Sequence, residues 1–225
     1  MSDDPISRYS DQPLFERDDA ELLDRERMFD GFFAVDRLRL RHRLFRGGKS
    51  DALQREVFLR PPAVGVLLLD PLRRELVLVE QFRVGAFAAE PSLAVEPSDD
   101  SPWLLELVAG LIEPGETAED VARREAREEA DCAIQELWPI HEYYSSPGGS
   151  NERIHLFCGT VDASVAGGVH GCDQEHEDIR VVCLNLEQAR RAMQSGRLNN
   201  AMTLLAVQWL FLNEDSIFSG SGRCL

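Results

Sequence analysis

Between residues 37 and 44 the chain reads Arg-Leu-Arg-Leu-Arg-His-Arg-Leu. Polar and apolar positions alternate with a period of two, the pattern of a half-buried strand with one arginine-bearing face. Apolar runs at 64–69 and 75–82 predict two more strands around a turn at Asp70-Pro71. A short strand is expected at 104–108, with others near 134–144, 153–162 and 179–186. Over 117–130 the period becomes helical. Pro114-Gly115 supplies the turn before it, and Thr117 with Asp120 three residues on resembles a capping box. Helices at 187–195 and 199–213 close the pattern. Residues 87–102, with Glu90-Pro91, Glu96-Pro97 and Ser98-Asp99-Asp100-Ser101, read as a Pro-rich acidic loop. No internal repeat is visible. Strands mixed with few helices predict the α+β class, arranged as an α/β/α sandwich.

The 225 residues suffice for one medium domain with a sizeable core. Twenty-four bases against 40 acids leave a net charge of −16. Such a charge repels phosphate backbones and argues against nucleic acid as a partner. A polyanionic substrate then needs local bases or bound cations. The charge is uneven. Residues 1–30 carry ten acids against four bases and read as a loose or peripheral arm, docked by Phe15 and Leu22-Leu23. Residues 35–60 carry eight bases against three acids. The arginine face of 37–44 fits either a solvated edge strand or a basic face for phosphates or for an acidic partner subunit. No apolar run approaches the roughly 18 residues of a membrane-spanning helix. The start, Met1-Ser2-Asp3-Asp4-Pro5, is acidic and lacks a secretory apolar stretch. Five cysteines without a C-x-x-C pair argue against a disulfide framework and a zinc knuckle. The expectation is a reduced, cytoplasmic protein with no membrane partner.

The segment 110–132 carries the chemistry. On a helix, Glu125, Glu128 and Glu129 share one arc with Ala118, Val121 and Ala122. Asp120, Arg123, Arg124 and Arg127 fall on the opposite arc. Glu125 and Glu129 are like charges at i,i+4, which repel even in water and more strongly when desolvated. A divalent cation relieves both costs. Carboxylates converging from one helix suit Mg²⁺ or, as a substitute, Mn²⁺.

At these residues the segment resembles the Nudix signature, G-x5-E-x7-R-E-U-x-E-E-x-G-U, with U a bulky apolar residue. Gly110, Glu116, Arg124, Glu125, Glu128 and Glu129 match in register. Asp131 stands where the family has glycine, and Cys132 where it has an aliphatic residue. Because Asp tolerates left-handed backbone, this departure touches the helix end and not the carboxylates. Arg-His-Arg-Leu-Phe (41–45), Glu-Gln-Phe-Arg (80–83), Pro-Trp-Leu-Leu-Glu (102–106), Ser-Pro-Gly-Gly (146–149) and Glu-His-Glu-Asp-Ile-Arg (175–180) extend the likeness. The order looks like bacterial ADP-ribose pyrophosphatases of the Nudix superfamily, over roughly 28–213. Pro147, fifteen residues past Cys132, matches the proline that marks ADP-ribose specificity there. The loop 87–101 looks longer than in close relatives, so the substrate rim is open to difference.

The resemblance implies a Nudix fold with a mixed sheet and an N-terminal β-rich dimerisation arm. It divides the chain into 1–60, an arm and small β region in dimer contact, 61–213, the hydrolase domain, and 214–225, a C-terminal tail. It implies Mg²⁺ on Glu125, Glu129 and Glu128, on the Ala109 carbonyl and on Glu177, with Glu175 as general base. Arg83 would hold phosphate or terminal ribose. Arg55, Glu56 and Arg60 lie at positions that in this family reach the neighbouring subunit's site. Phe32 and Phe33 would lie against adenine. Leu111, Ser146, Pro147, Gly148 and Glu152 would line the ribose and phosphate pocket. The implied reaction is cleavage of ADP-ribose to AMP and ribose 5-phosphate by a homodimer. A second reading keeps the chemistry and changes the substrate to GDP-mannose or ADP-glucose. A third is a sensor that binds without cleaving; the intact box glutamates and the lack of a DNA-binding segment count against it.

Overall fold

The computed structural model describes residues 9–89, 101–172 and 176–219. Most of the acidic loop, Glu175 and the end of the tail lie outside the described residues. Backbone contacts divide the chain into two compact units. One runs to Arg60 and takes in Ser146–Glu152; the other comprises Pro61–Ser145 and the chain from Arg153.

The first unit is an antiparallel sheet of β1 (Ala20–Asp30), β2 (Ala34–His42) and β3 (Leu53–Leu59). The expected loose arm is therefore corrected: 20–30 is an eleven-residue strand. Register shifts between Leu22 and Asp24 and between Arg27 and Phe29 break the alternation that would have revealed it. Phe15 docks by stacking on Phe45, 5.0 Å between ring centres. Glu21, Asp24 and Glu26 on β1 stand opposite Arg41, Arg39 and Arg37. The arginine face thus meets counter-charges inside its own sheet. On the other face Asp36 is buried and receives the guanidiniums of Arg25 and Arg27. The segment 146–152 is tied to β3. Phe58 N donates to the Gly149 carbonyl at 2.8 Å, and Arg60 N to Asn151 Oδ1 at 2.8 Å.

In the second unit β4 (Ala63–Asp70) is buried at every residue, as its unbroken apolar run requires. It lies parallel to β9 (Arg153–Thr160), which pairs antiparallel with β8 (Leu137–Tyr144). On its other side β4 meets β5 (Glu75–Phe82) only over Leu68–Asp70. Beyond that point the two strands part. Two short strands fill the gap: β6 (Trp103–Glu106) pairs with β5, and β7 (Val108–Leu111) with β4. The single strand expected at 104–108 is thus two, because a period of two does not register a change of partner. Leu107 sits at the switch, and its N–H donates to Thr203 Oγ1 at 3.1 Å. β10 (Val169–His170) and β11 (Ile179–Asn185) complete the sheet beside β5.

Helices cover both faces. Besides a short α1 (Val84–Ala88), α2 (Ala118–Ala130) packs Val121, Ala122, Ala126 and Ala130 against Val64, Val66 and Leu68 of β4. Leu67 and Leu69 point the other way, toward α3 (Leu186–Gln194) and α4 (Ala201–Leu212). α4 lies so close to β4 that a Cβ on Gly65 would come within 2.3 Å of Met202 Sδ. The expected tail also needs correction: α5 (Glu214–Phe218) packs Ile217 and Phe218 on this core. Glu214 there bonds Arg74 at 2.7 Å and also pairs with Arg190.

Candidate active site

The site is built where α2 crosses β7. Thr117 caps α2 through its hydroxyl, and Asp120 returns the bond in a closed capping box. Asp131 ends it in the left-handed region, φ 51° and ψ 33°, doing what glycine does in the signature. Between these ends Glu129 is buried and accepts from Ala109 N at 3.0 Å. Glu125 lies against Gly110: a Cβ there would stand 1.7 Å from its Oε1. Only glycine lets that carboxylate rest on the strand.

Arg124 organises the rim. Its guanidinium donates to Glu116 at 3.0 Å, Glu125 at 2.8 Å and Glu128 at 2.9 Å. This corrects the helical projection in two ways. Arg124 folds toward the carboxylates, because a long side chain reaches beyond its own arc. Glu128 lies at the rim with half its side chain exposed, while Glu125 and Glu129 turn inward.

The two inward carboxylates are electrostatically unfavourable as they stand. Burial pushes the Glu129 carboxyl up to about 8; the charges of Glu125 and Glu177 push the same way, against Ala109 N–H and Arg83. Burial, with Glu128 and Glu177, pushes Glu125 up to about 7, against Arg124. Two hard, desolvated anions facing one another are the donor chemistry that a divalent cation satisfies. Among the described residues, no three side chains stand close enough to form a ligand set in this conformation. Glu129 and Glu125 are instead occupied by Ala109 N–H and Arg124.

Glu177 is brought to the carboxylates from the loop before β11. Its Oε2 accepts from Cys172 N at 3.1 Å, and its charge acts on both Glu125 and Glu129. The expected base, Glu175, lies outside the described residues. Arg83 follows β5, pairs with Glu106, and is among the charges acting on Glu129. Leu111 ends β7. The sequence reading gave no task to Arg124, Gly110 or Glu106. Fixed places in the signature pointed to the first two; Glu106 had only its place in Pro-Trp-Leu-Leu-Glu.

The remaining expected residues belong to the first unit. Phe33 meets Phe58 edge-on, with ring centres 5.0 Å apart, and the Arg60 guanidinium lies 4.9 Å from the Phe33 ring centre. Arg60 pairs with the buried Glu152 at 3.0 Å. Phe32 touches Phe33 but is 88% exposed. Phe58 was missed because its β3 strand was not expected. Arg55 and Glu56 are exposed on β3 and stand apart from this cluster: Arg55 bonds the Gln54 carbonyl, and Glu56 lies 3.6 Å from Arg37. Ser146, Pro147 and Gly148 form an exposed turn closed by Gly149 N on the Ser146 carbonyl.

Comparison with known proteins agrees with this geometry. The chain is 43% identical over 203 residues to an ADP-ribose pyrophosphatase of Escherichia coli K12, covering 90% of this chain and 93% of that one. It is 34% identical over 172 residues to a GDP-mannose pyrophosphatase of Salmonella arizonae, covering 75% and 83%. A crystal structure of an ADP compounds hydrolase superposes with a TM-score of 0.63 at 21% identity, covering 91% of this chain and 96% of that one, and so shares the fold. Residues 59–202 match the NUDIX domain, and the chain belongs to the Nudix family of hydrolases.

Proposed function

We propose that this Nudix hydrolase cleaves the diphosphate of ADP-ribose to AMP and ribose 5-phosphate with Mg²⁺, for which Mn²⁺ can substitute. The observation that carries the chemistry is the inward-facing pair against β7, Glu129 buried and Glu125 half-buried. The substrate is supported by the 43% identity to an ADP-ribose pyrophosphatase over nearly the whole of both chains.

Glu125 and Glu129 would hold the metal, with Glu128, Glu177 and the Ala109 carbonyl completing the set. When bound, the ion neutralises phosphate charge and lowers the pKa of the attacking water. Arg124 holds Glu116 and Glu128 at the rim and also donates to Glu125. Arg83 takes a phosphate oxygen on the β5 side. Glu175 removes a proton from the water as its oxygen bonds phosphorus, and the bridging oxygen leaves with the other product. In the first unit, Phe32 and Phe33 would lie against adenine, where flat apolar faces stack.

A cytoplasmic homodimer belongs to the same reading. No helix among the described residues is long and apolar enough to cross a membrane. Among the described residues β1 is an edge strand, with Leu22 and Phe29 more than half exposed, which supports pairing of copies. The second substrate reading is favoured for GDP-mannose by the Salmonella arizonae relative, and for another nucleotide sugar such as ADP-glucose by the length of the 87–101 loop.

Product analysis decides among these. Purified protein is incubated with Mg²⁺ and ADP-ribose, GDP-mannose or ADP-glucose in parallel, with EDTA and Glu129→Gln as controls. Metal-dependent AMP with ADP-ribose preferred is the expected result. Cleavage of another nucleotide sugar with ADP-ribose untouched would overturn the substrate and keep the metal helix.

A further inference from the structure

The second unit contains a buried carboxylate to which the proposed reaction gives no task. Glu106 lies on β6 opposite Val79, and its side chain is 8% exposed. Its partner is Arg83, which lies beyond the end of β5. Gln81 stands opposite Leu104, so Arg83 reaches back across the Gln81 rung to meet Glu106. The contact is made by Nε on Glu106 Oε2. Among the described residues, none accepts from Nη1 or Nη2, and 40% of the Arg83 side chain is exposed. Gln81 is itself 7% exposed, and its Nε2 has no hydrogen-bond partner among the described residues.

We infer that Glu106 is a positioning residue, which holds Arg83 by Nε so that the two terminal nitrogens are presented to phosphate oxygens of the substrate. A guanidinium is a planar fork; a carboxylate on Nε fixes the plane, and the Nη pair then grips two oxygens of one phosphate. Without Glu106 the long side chain samples many rotamers, and binding must order it. The inference rests on the proposed role of Arg83 as a substrate contact, and it goes further by naming what sets that contact.

The test is steady-state kinetics of the full chain on ADP-ribose with Mg²⁺, with thermal unfolding alongside. Glu106→Gln keeps the size and removes the charge. It is expected to raise KM about tenfold, the scale of one lost charge-assisted contact, while kcat stays within about threefold. Because Glu106 acts through Arg83, adding Glu106→Gln to Arg83→Ala is expected to raise KM no further. A wild-type KM in Glu106→Gln, or additive increases in the double variant, would overturn the inference. If Glu106→Gln does not fold, Glu106→Asp carries the test: it keeps the charge one methylene short, and KM should again rise with kcat held. A wild-type KM in Arg83→Ala would instead sink the substrate role of Arg83. A raised KM there beside a wild-type KM in Glu106→Gln removes only the inference about Glu106.

Discussion

Gly110 shows how one missing atom shapes the site. A Cβ would stand 1.7 Å from Glu125 Oε1 and 2.2 Å from its Cδ, so Gly110→Ala must swing the carboxylate off β7. Mn²⁺ affinity, read by paramagnetic resonance titration, is expected to fall roughly tenfold or more, with the fold retained. Unchanged affinity would mean that Glu125 is not held in that cradle. Glu129 makes the complementary case. It is a charge that the metal-free fold tolerates poorly, because burial is the largest force on its carboxyl. Glu129→Gln keeps an acceptor for Ala109 N–H and removes the charge. Activity is expected to drop at least about a hundredfold, while melting in EDTA stays at or above the wild-type temperature. A large loss of melting temperature would show that the ionised group supports the fold. The inward turn of Glu125 and Glu129 was legible in the sequence, since i,i+4 spacing and small apolar neighbours place them. The reach of Arg124 was not, because helical projection locates a Cβ and says nothing of where a flexible guanidinium finds its partners.

The same division holds for the elements. Thr117, Asp120 and Pro114-Gly115 announce the start of α2, and the structure closes that capping box. Its end falls at Asp131 in left-handed backbone. Asp131→Val forces a β-branched residue into that conformation, at a cost of about 1–2 kcal/mol, and should lower the melting temperature by about 2–8 °C. Asp131→Gly should leave it unchanged or raise it slightly. A neutral Asp131→Val would argue that the cap is not left-handed in solution. The β4–β5 turn hangs on Asp70, which is buried and accepts from the N–H groups of Leu72, Arg73 and Ala163, each at 2.9 Å. Burial pushes its carboxyl up, but the backbone donors of Arg73 and Ala163 outweigh this and hold it below the ordinary value. A depressed pKa stabilises the fold above the unfolded value, near about 3.9, and the contribution is lost as pH falls through the folded value. Asp70→Asn is therefore expected to cost about 1–3 kcal/mol at neutral pH, with the gap to wild type closing toward acid. A pH-independent gap in urea unfolding would assign the loss to packing. What the sequence hid at this scale included β1, masked by its bulges, β3, and the β6–β7 switch, where Leu107 gives its N–H to Thr203 from a helix nearly a hundred residues away.

Across the whole molecule, charge and metal act on the same free energy. The chain carries −16, so any added salt relieves self-repulsion, and stabilisation by Mg²⁺ alone proves little. A specific site has a different form. An ion that binds the folded carboxylates and not the unfolded chain stabilises by about 2.7 kcal/mol at a hundred times its dissociation constant. For a chain of this size that is a rise of roughly 5–11 °C in melting temperature. NaCl at matched ionic strength supplies the screening without the site. The expected result is a rise with Mg²⁺ that exceeds the NaCl rise and keeps growing with the logarithm of Mg²⁺ concentration. In Glu129→Gln that excess should shrink to little, because one of the two inner anions that call for the cation is gone. Equal rises in Mg²⁺ and NaCl would mean that screening of the overall charge accounts for the effect, and that the inner pair binds no metal before substrate brings its phosphates.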